Sequence, residues 1–496
     1  MIGMTSLYDT ATARLLDARA TELLGGDGYV LMQRAGQAAW RRVLQHWPKA
    51  MRITIVCGPG NNGGDGYVLA RLARQSRRDV RVLHLPEHAP SSELAQRACT
   101  DYVAAGGRID LFPDTGLEAD LVVDALFGIG LSRAPDVQSA ALIDAINAQP
   151  APVFALDVPS GLDADVGSAP GVVVTADCTL QFIAPHIGLH SGDALERVGE
   201  TGIDALDVDD LDVPAATFNA ATPAAILLTE EALQHWLLPR RHNTHKGESG
   251  RVLCIGGDHG HGGAIVLCAE AALRSGSGLL TVATRENNVP VLLSRRPEAM
   301  AAAVESSADL SPLLATPDVI AIGPGLGQGD WGRAVFALAL EAGKPLVLDA
   351  DALNLLAAQP RPLPDAILTP HPGEAARLLG ISTAEVQRDR FAAARGIAER
   401  YGTTVVLKGA GTIIATPDAT PRVIGAGNPG MAVGGMGDLL TGVIAALRAQ
   451  GLPAFDAASA GALLHSLAGD GAAMEGERGL LPSDLLPHLR RLANPL

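Results

Sequence analysis

Aromatic side chains are scarce in this 496-residue chain, at 3% of positions, so its cores must close through small aliphatic residues. Basic side chains are outnumbered: 38 Lys and Arg stand against 54 Asp and Glu, for a net charge of −16. That balance excludes nonspecific nucleic-acid binding, which needs a basic face, but not a nucleotide held locally by backbone amides. Cysteine is rare too. Cys57, Cys99, Cys178, Cys254 and Cys268 are odd in number and never spaced C-x-x-C. They read as buried hydrophobes in a reducing compartment, not as a disulfide frame or zinc site. No apolar run reaches the ~18 residues of a membrane span, and Met1 to Leu16 lacks a basic segment followed by an apolar one. A soluble cytoplasmic protein without membrane or nucleic-acid partners is the expectation.

What is plentiful is glycine, at 56 residues, and hydrophobic side chains, at 47%. The length calls for two or more domains. Glycine concentrates where the chemistry is expected. Gly434-Gly435-Met436-Gly437-Asp438 runs straight into the apolar stretch Leu439 to Leu447. A glycine turn feeding a helix points free N–H groups at one spot, where the helix dipole adds to them. Asp438 in that mouth is either a plain N-cap or a base meeting a hydroxyl beside a phosphate. The glycines exceed what a cap needs, which favours the base.

In the first half, helical patterns over Thr10–Leu24 and Tyr29–Trp47 precede the strand Arg52–Cys57, the turn Gly58–Gly66 and a helix expected over Tyr67–Gln75. Gly58, Gly60 and Gly63 satisfy G-x-G-x-x-G after a strand, but the next strand, Val80–Leu85, ends in Pro86-Glu87, a poor match to the ribose-binding acid. Asn61, Asn62 and Asp65 instead offer oxygens for a polar ligand or hard cation, or simply a tight turn. Two further strands end in acids and glycines, at Asp124 to Gly130 and at Asp157 to Asp163. In a doubly wound sheet the carboxyl ends of strands line one crevice, so Asn61, Asn62, Asp65, Asp124, Asp157 and Ser160 are expected to converge. Oxygen donors without His or Cys at metal spacing point to an alkali or alkaline-earth ion.

Beyond Gly202 the chain turns acidic (Asp204, Asp207, Asp209, Asp210, Asp212) and irregular, which places a domain boundary at residue 219. A helix is expected over Thr229–Leu238, then the basic patch Arg240 to Gly247, a phosphate contact or a solvated loop. Strand-and-turn units recur at Arg251–Asp258, Asp318–Gly327, Pro345–Asn354, Ala366–Glu374 and Thr403–Thr412, with a helix over Ala264–Ser275. This alternation again means α/β. A Walker A pattern is missing. His371 is structural or catalytic, and Lys408 pairs with phosphate or with an acid.

The motifs GPGNNGGDG (58–66), DALFGIG (124–130), DVPSGLDAD (157–165), HKG (245–247), GPGLG (323–327), DADALN (349–354), TPHPGE (369–374), KGAGT (408–412) and GNPGMAVGGMGDLLTG (427–442) occur in one order. In that order the chain closely resembles the bifunctional NAD(P)H-hydrate repair enzymes, an NAD(P)HX epimerase fused to an ADP-dependent dehydratase. The resemblance implies two doubly wound α/β domains: a Rossmann-like epimerase domain over 1–219 and a ribokinase-like dehydratase domain over 220–496. It implies hydrate binding by Asn61, Asn62, Gly63, Gly64, Asp65, Gly128, Ile129, Gly130, Leu131, Ser132, Arg133, Ala134 and Asp157. It implies potassium at Asn62, Asp124 and Ser160, with Asp157 handling protons. In the dehydratase half it implies nucleotide binding by Lys408, Gly409, Ala410, Gly411, Thr412 and Gly437, and hydrate contacts from Ala264, Gly325, His371 and the catalytic Asp438. His261 stands where relatives often carry Tyr or Met. The substrates so implied are NADHX, NADPHX and ADP with Mg²⁺, with a homo-oligomer left open. Two other readings compete: a small-molecule kinase with a regulatory first half, and a first half that only binds.

Overall fold

The computed structural model describes residues 2–114, 116–131, 133–199 and 206–494. Two compact units emerge, Ser6–Ala225, and Ile226–Leu496 together with Met1–Thr5. The division thus falls six residues beyond the boundary expected from sequence.

After β1 (Met4–Leu7), the first unit is built on seven strands: β2 (Arg52–Cys57), β3 (Asp79–His84), β4 (Arg108–Leu111), β5 (Leu121–Ala125), β6 (Val153–Leu156), β7 (Cys178–Phe182) and β8 (Leu206–Asp209). All pairs are parallel, in the order β4-β3-β2-β5-β6-β7-β8. The winding reverses between β2 and β5. Both faces of the sheet are covered, which is why β2, β5 and β6 are near-continuous runs of Ile, Val, Leu and Ala. Leu206–Asp209, expected to be irregular, is instead the edge strand β8, whose Asp209 and Asp207 pair with Arg41 and Arg42. Acids on an edge strand find cations and discourage further pairing, so the acid run there marked an edge and not a linker. Asp204 lies outside the described residues.

The second unit adds β9 (Ala225–Leu228), β10 (Arg251–Ile255), β11 (Leu279–Thr284), β12 (Met300–Ala303), β13 (Val319–Ile322), β14 (Leu346–Leu348), β15 (Ile367–Leu368), β16 (Thr404–Leu407), β17 (Ile413–Thr416) and β18 (Ala419–Ile424). Their order is β1-β9-β18-β17-β16-β15-β14-β13-β10-β11-β12, parallel from β12 to β16, with β17 antiparallel to both neighbours. Here the winding reverses between β10 and β13. The helix expected over Thr229–Leu238 is a 3-10 turn, Glu230–His235, preceded by the unforeseen strand β9. With prolines at 223 and 239 bracketing the segment, too few residues remain for a stable α-helix.

The helix Met436–Ala449 is buried along most of its length and packs on the helix Gly262–Arg274. Gly442 makes that approach possible, since a Cβ there would lie 2.0 Å from the Cys268 carbonyl oxygen. No described helix is long and apolar enough to cross a membrane. All five cysteines are free thiols, and four are buried, with the Cys254 and Cys268 sulfurs 3.7 Å apart. Gly442→Ala is expected to lower stability by about 1–3 kcal/mol, through overpacking of the helix pair. Gly263→Ala, with open space around its Cβ, is expected to stay within ~0.5 kcal/mol. Denaturant midpoints of the two variants check this.

Candidate active sites

In the first unit the turn after β2 and the turn after β5 touch. A Cβ on Gly58 would fall 1.7 Å from the Leu126 carbonyl oxygen, and one on Gly63 would fall 2.0 Å from the Gly58 oxygen. The helix therefore begins at Asn61, inside the glycine motif, and not at Tyr67 as expected. Helical backbone places Asn61, Asn62 and Asp65 at the mouth and turns Gly63 and Gly64 inward, Gly64 against Met32. A cavity of about 790 Å³ opens there. Asn61, Asn62, Asp65, Gly128, Ile129, Gly130, Leu131, Arg133 and Asp157 line it, whereas Gly63, Gly64 and Ala134 do not. Ser132 lies outside the described residues.

Below the mouth, Asp124 is wholly buried at the end of β5. Its Oδ1 accepts from Ser160 Oγ (2.6 Å) and the Leu126 N–H (3.1 Å), and its Oδ2 accepts from the Ser160 N–H (2.8 Å). Burial pushes its carboxyl up to about 6, against the pull of those donors. Asn62 Nδ2 donates to the carbonyls of Phe127 (2.9 Å) and Leu156 (3.2 Å), leaving its buried Oδ1 with no protein partner.

Asp157 follows β6 in the left-handed region, φ 66°, which costs a non-glycine residue roughly 1–3 kcal/mol. Its Oδ2 accepts from the Ile129 N–H at 3.3 Å and its Oδ1 meets His186 Nε2 at 2.9 Å. Burial, with Asp157 and Asp17 beside it, pushes the Asp65 carboxyl well up, and burial plus Asp157 raises Asp17 likewise. Asp17 and His186 were not found from sequence. Asp17 sits in an ordinary amphipathic helix, and His186 carries no motif, so only the fold brings them to Asp157.

In the second unit the same close approach recurs: a Cβ on Gly256 would lie 2.1 Å from the Pro324 carbonyl oxygen, at the β10/β13 reversal. Gly325, at φ 59°, packs on His261 and Ala264, so two of the positions expected to face the hydrate are neighbours. At the tips of β14, β15 and β16 a polar knot forms. Asp349 Oδ1 accepts from Lys408 Nζ (2.7 Å) and Thr369 Oγ1 (2.8 Å), and Glu374 Oε2 lies 3.9 Å from the same ammonium. Burial alone would raise Asp349, but the Lys408 charge and hydrogen bonds hold it below the usual range. Burial works against the Lys408 charge, and Asp349 and Glu374 more than offset it, raising that group. His371 caps the helix Pro372–Leu379 through Nδ1, while Glu374 returns a bond to its N–H, and burial with Lys408 lowers the imidazole.

Above the knot stands the mouth of the helix Met436–Ala449. Its N-cap is Gly435, at φ 98°, and no side chain caps it. Asp438 is the third helical residue, so it is not the N-cap. Burial and the Asp349 charge push it up to about 7, partly countered by Lys408. A Cβ on Gly437 would stand 3.1 Å from Lys408 Nζ, which joins the lysine to this mouth. The loop 408–412 is braced from beneath by the buried Arg390, whose Nη2 reaches the carbonyls of Lys408 and Gly411 at 3.4 and 3.3 Å. Arg390 and the buried His465, lowered to about 4 by burial and Lys408, were invisible in the sequence. Arg241 and His245, from the basic patch, turn to Glu248.

A carboxyl that stays protonated to about pH 7 when folded, but ionises near 3.8 when unfolded, makes the folded chain bind the extra proton between those values. Stability from this group therefore falls as pH rises from about 4 to 7. Asp438→Asn should remove the loss, so its stability relative to the parent should grow over that window, by roughly 2–4 kcal/mol in all. Chemical denaturation at pH 5 and pH 8 checks the sign.

Comparison with known proteins agrees with the two-unit division. The model of the NAD(P)H-hydrate dehydratase family matches residues 252–491, and that of the YjeF-related protein N-terminus matches 28–188. The bifunctional NAD(P)H-hydrate repair enzyme Nnr of Coxiella burnetii is 47% identical over 99% of this chain and 100% of its own. That of Escherichia coli is 45% identical over 97% and 92%. Among solved structures, a ribokinase-like superfamily protein of Enterococcus faecalis superposes with a TM-score of 0.51, at 33% identity, over 54% of this chain and 96% of that one. With carboxylates gathered at the strand tips of one parallel and one mostly parallel sheet, and relatives alike from end to end, the chain belongs to the bifunctional NAD(P)H-hydrate repair enzymes.

Proposed function

We propose that the chain repairs hydrated nicotinamide cofactors in two steps: the unit holding Asp157 interconverts the R and S hydrates, and the unit holding Asp438 dehydrates the S form at the expense of ADP. The observation that carries the second step is Asp438 itself, a desolvated carboxyl in an uncapped, glycine-lined helix mouth beside Lys408. Hydroxide leaves a saturated ring carbon poorly. Moving the β-phosphoryl of ADP onto the hydroxyl oxygen gives AMP and a phosphate ester, which the ring nitrogen's electron pair can expel as free phosphate. Asp438 takes the hydroxyl proton as the oxygen attacks, and the free N–H groups of Met436 and Gly437 face the charge on the moving phosphoryl. Lys408 and the loop Gly409, Ala410, Gly411 and Thr412, with Gly437, hold the nucleotide; Ala264, Gly325 and His371 hold the hydrate.

Magnesium fits as a companion of the nucleotide. Among the described residues no group of three or more His, Cys, Asp or Glu is disposed to hold a metal, and Asp349 and Glu374 already answer Lys408. Mg²⁺ would be carried chiefly by phosphate oxygens and water, and it neutralises charge on them. Potassium fits the first unit. Asn62 Oδ1 is a buried acceptor without a partner, Asp124 is a desolvated carboxyl, and Ser160 Oγ stands between Asp124 and the Phe127 carbonyl, to which Asn62 also donates. A monovalent cation there would take the place of the proton that burial favours. Arg133 and Asn61 flank the cavity for the polar parts of a dinucleotide.

Incubating mixed hydrates with ADP and Mg²⁺, and following NADH by absorbance, tests the whole reading. The parent should return nearly all the hydrate as NADH with one phosphate each. Asp438→Asn should lower that rate by about 10²–10⁴-fold. Asp157→Asn should leave the S hydrate untouched and slow the R hydrate to its spontaneous epimerisation. A stable phosphoester accumulating in place of NADH would make the second unit a kinase. Potassium chloride, unlike choline chloride, should raise the melting temperature of the first unit, and Asp124→Asn should abolish that difference.

A further inference from the structure

Among the described residues around the first cavity, Asp157 is the one carboxylate with an imidazole against it, that of His186. His186 is 2% exposed as a side chain, lines the cavity and places Nε2 2.9 Å from Asp157 Oδ1. Its backbone is fixed on two sides: its N–H donates to Gln181 Oε1 (2.6 Å), and the flanking Pro185 and Ile187 exchange hydrogen bonds with Tyr8 (2.9 Å each). With its backbone pinned and its side chain buried, His186 has little room to follow Asp157, so the ring sets where Asp157 Oδ1 rests. The contact engages Oδ1 and leaves Oδ2 beside the Ile129 N–H and Gly128, on the side of the hydrate loop. His186 Nδ1 is buried and without a protein partner, as is Nε2 of the neighbouring His190. Asp65 and Asp17 also face Asp157, and among these acidic neighbours the His186 contact fixes its Oδ1.

We propose that His186 is a positioning residue for the epimerase: it locks Asp157 by Oδ1 so that Oδ2 alone meets the hydrate. This deepens the epimerase reading and rests on it. The left-handed backbone of Asp157 supports the same view, since strain at a residue persists only where surrounding contacts over-determine it. Misaiming a proton-handling oxygen by about 1 Å costs on the order of 10²-fold in rate while leaving binding nearly untouched.

The test uses the full chain without ADP, so that the second unit is silent, and starts from a single purified hydrate epimer followed by chromatography. His186→Ala is expected to lose about 10²-fold in kcat with KM within about twofold. Added imidazole should restore part of that rate saturably in His186→Ala and leave the parent unchanged. His186→Gln, whose amide can still donate to Oδ1, should keep more activity than the alanine variant. Unchanged kcat in both variants, a loss confined to KM, or no imidazole response in a variant melting as the parent does would overturn the proposal. Should the alanine variant fail to fold, the glutamine variant decides alone: reduced kcat at constant KM supports it, and parental kcat refutes it. A parent chain that does not equilibrate the epimers at all refutes the epimerase reading instead, a separate outcome.

Discussion

Each sheet reverses its winding once, and at that reversal two strand-end turns press together until only glycine fits. Gly58 against Leu126 in the first unit and Gly256 against Pro324 in the second are the same device, built twice. Without the contact, each turn would wander as loops do, and acids far apart in sequence would not share a pocket. The glycines therefore act before any chemistry: their missing side chains let one backbone lie on another. Gly442 does the same one layer down, seating the helix that carries Asp438 on its neighbour.

What the close approach creates is a shortage of water around carboxylates. Asp124, Asp65 and Asp438 are all pushed toward their neutral forms, chiefly by burial. The two units resolve the problem differently. In the second, Lys408 supplies a full positive charge, so Asp349 ionises fully while Asp438, farther from that charge, is left near neutrality. Two acids in one knot are thereby pushed apart in proton affinity, which on the proposed mechanism separates an anchoring residue from one that exchanges a proton. In the first unit no lysine or arginine pairs with Asp124 among the described residues, and an orphan amide oxygen adjoins the gap. A loosely held monovalent ion suits such a place better than a fixed side chain.

Much of this was legible in the chain alone, and the failures have a common physical cause. Strand-end glycine turns, several with an acid, identified the strands on either side of each reversal, because buried parallel strands are continuous apolar runs, whereas β4, β7, β11, β12, β17 and β18 were not foreseen. Element edges slipped where tertiary packing overrode local preference. Glycine spacing at 58–66 looked like a long turn, yet the close packing of Gly63 on Gly58 lets the helix start six residues earlier than composition suggests. The strand β8 was hidden because its acids resemble a linker until Arg41 and Arg42 are seen beside them. His186, His465 and Arg390 were missed for another reason. Each acts through a partner far away in sequence, and a lone buried cation or imidazole leaves no spacing to read.

On the proposed reading, in which Asp157 and Asp438 both handle protons, the two reactions also account for why the units differ in their supporting cast. Epimerisation must run in both directions at one carbon, so its acid needs a fixed aim and no net charge partner that would commit it to one protonation state. An imidazole that fixes one carboxylate oxygen suits that role, and Asp157 has one at 2.9 Å. Phosphoryl transfer runs one way and gathers negative charge as it proceeds, so it needs a permanent cation and a helix mouth, and Asp438 has both nearby. Exchanging the partners would harm each reaction: a lysine at Asp157 would hold the proton off, and an imidazole at Asp349 would leave the phosphoryl charge without a dependable counter-charge. Under that proposal the supporting residue, more than the carboxylate, separates the two chemistries.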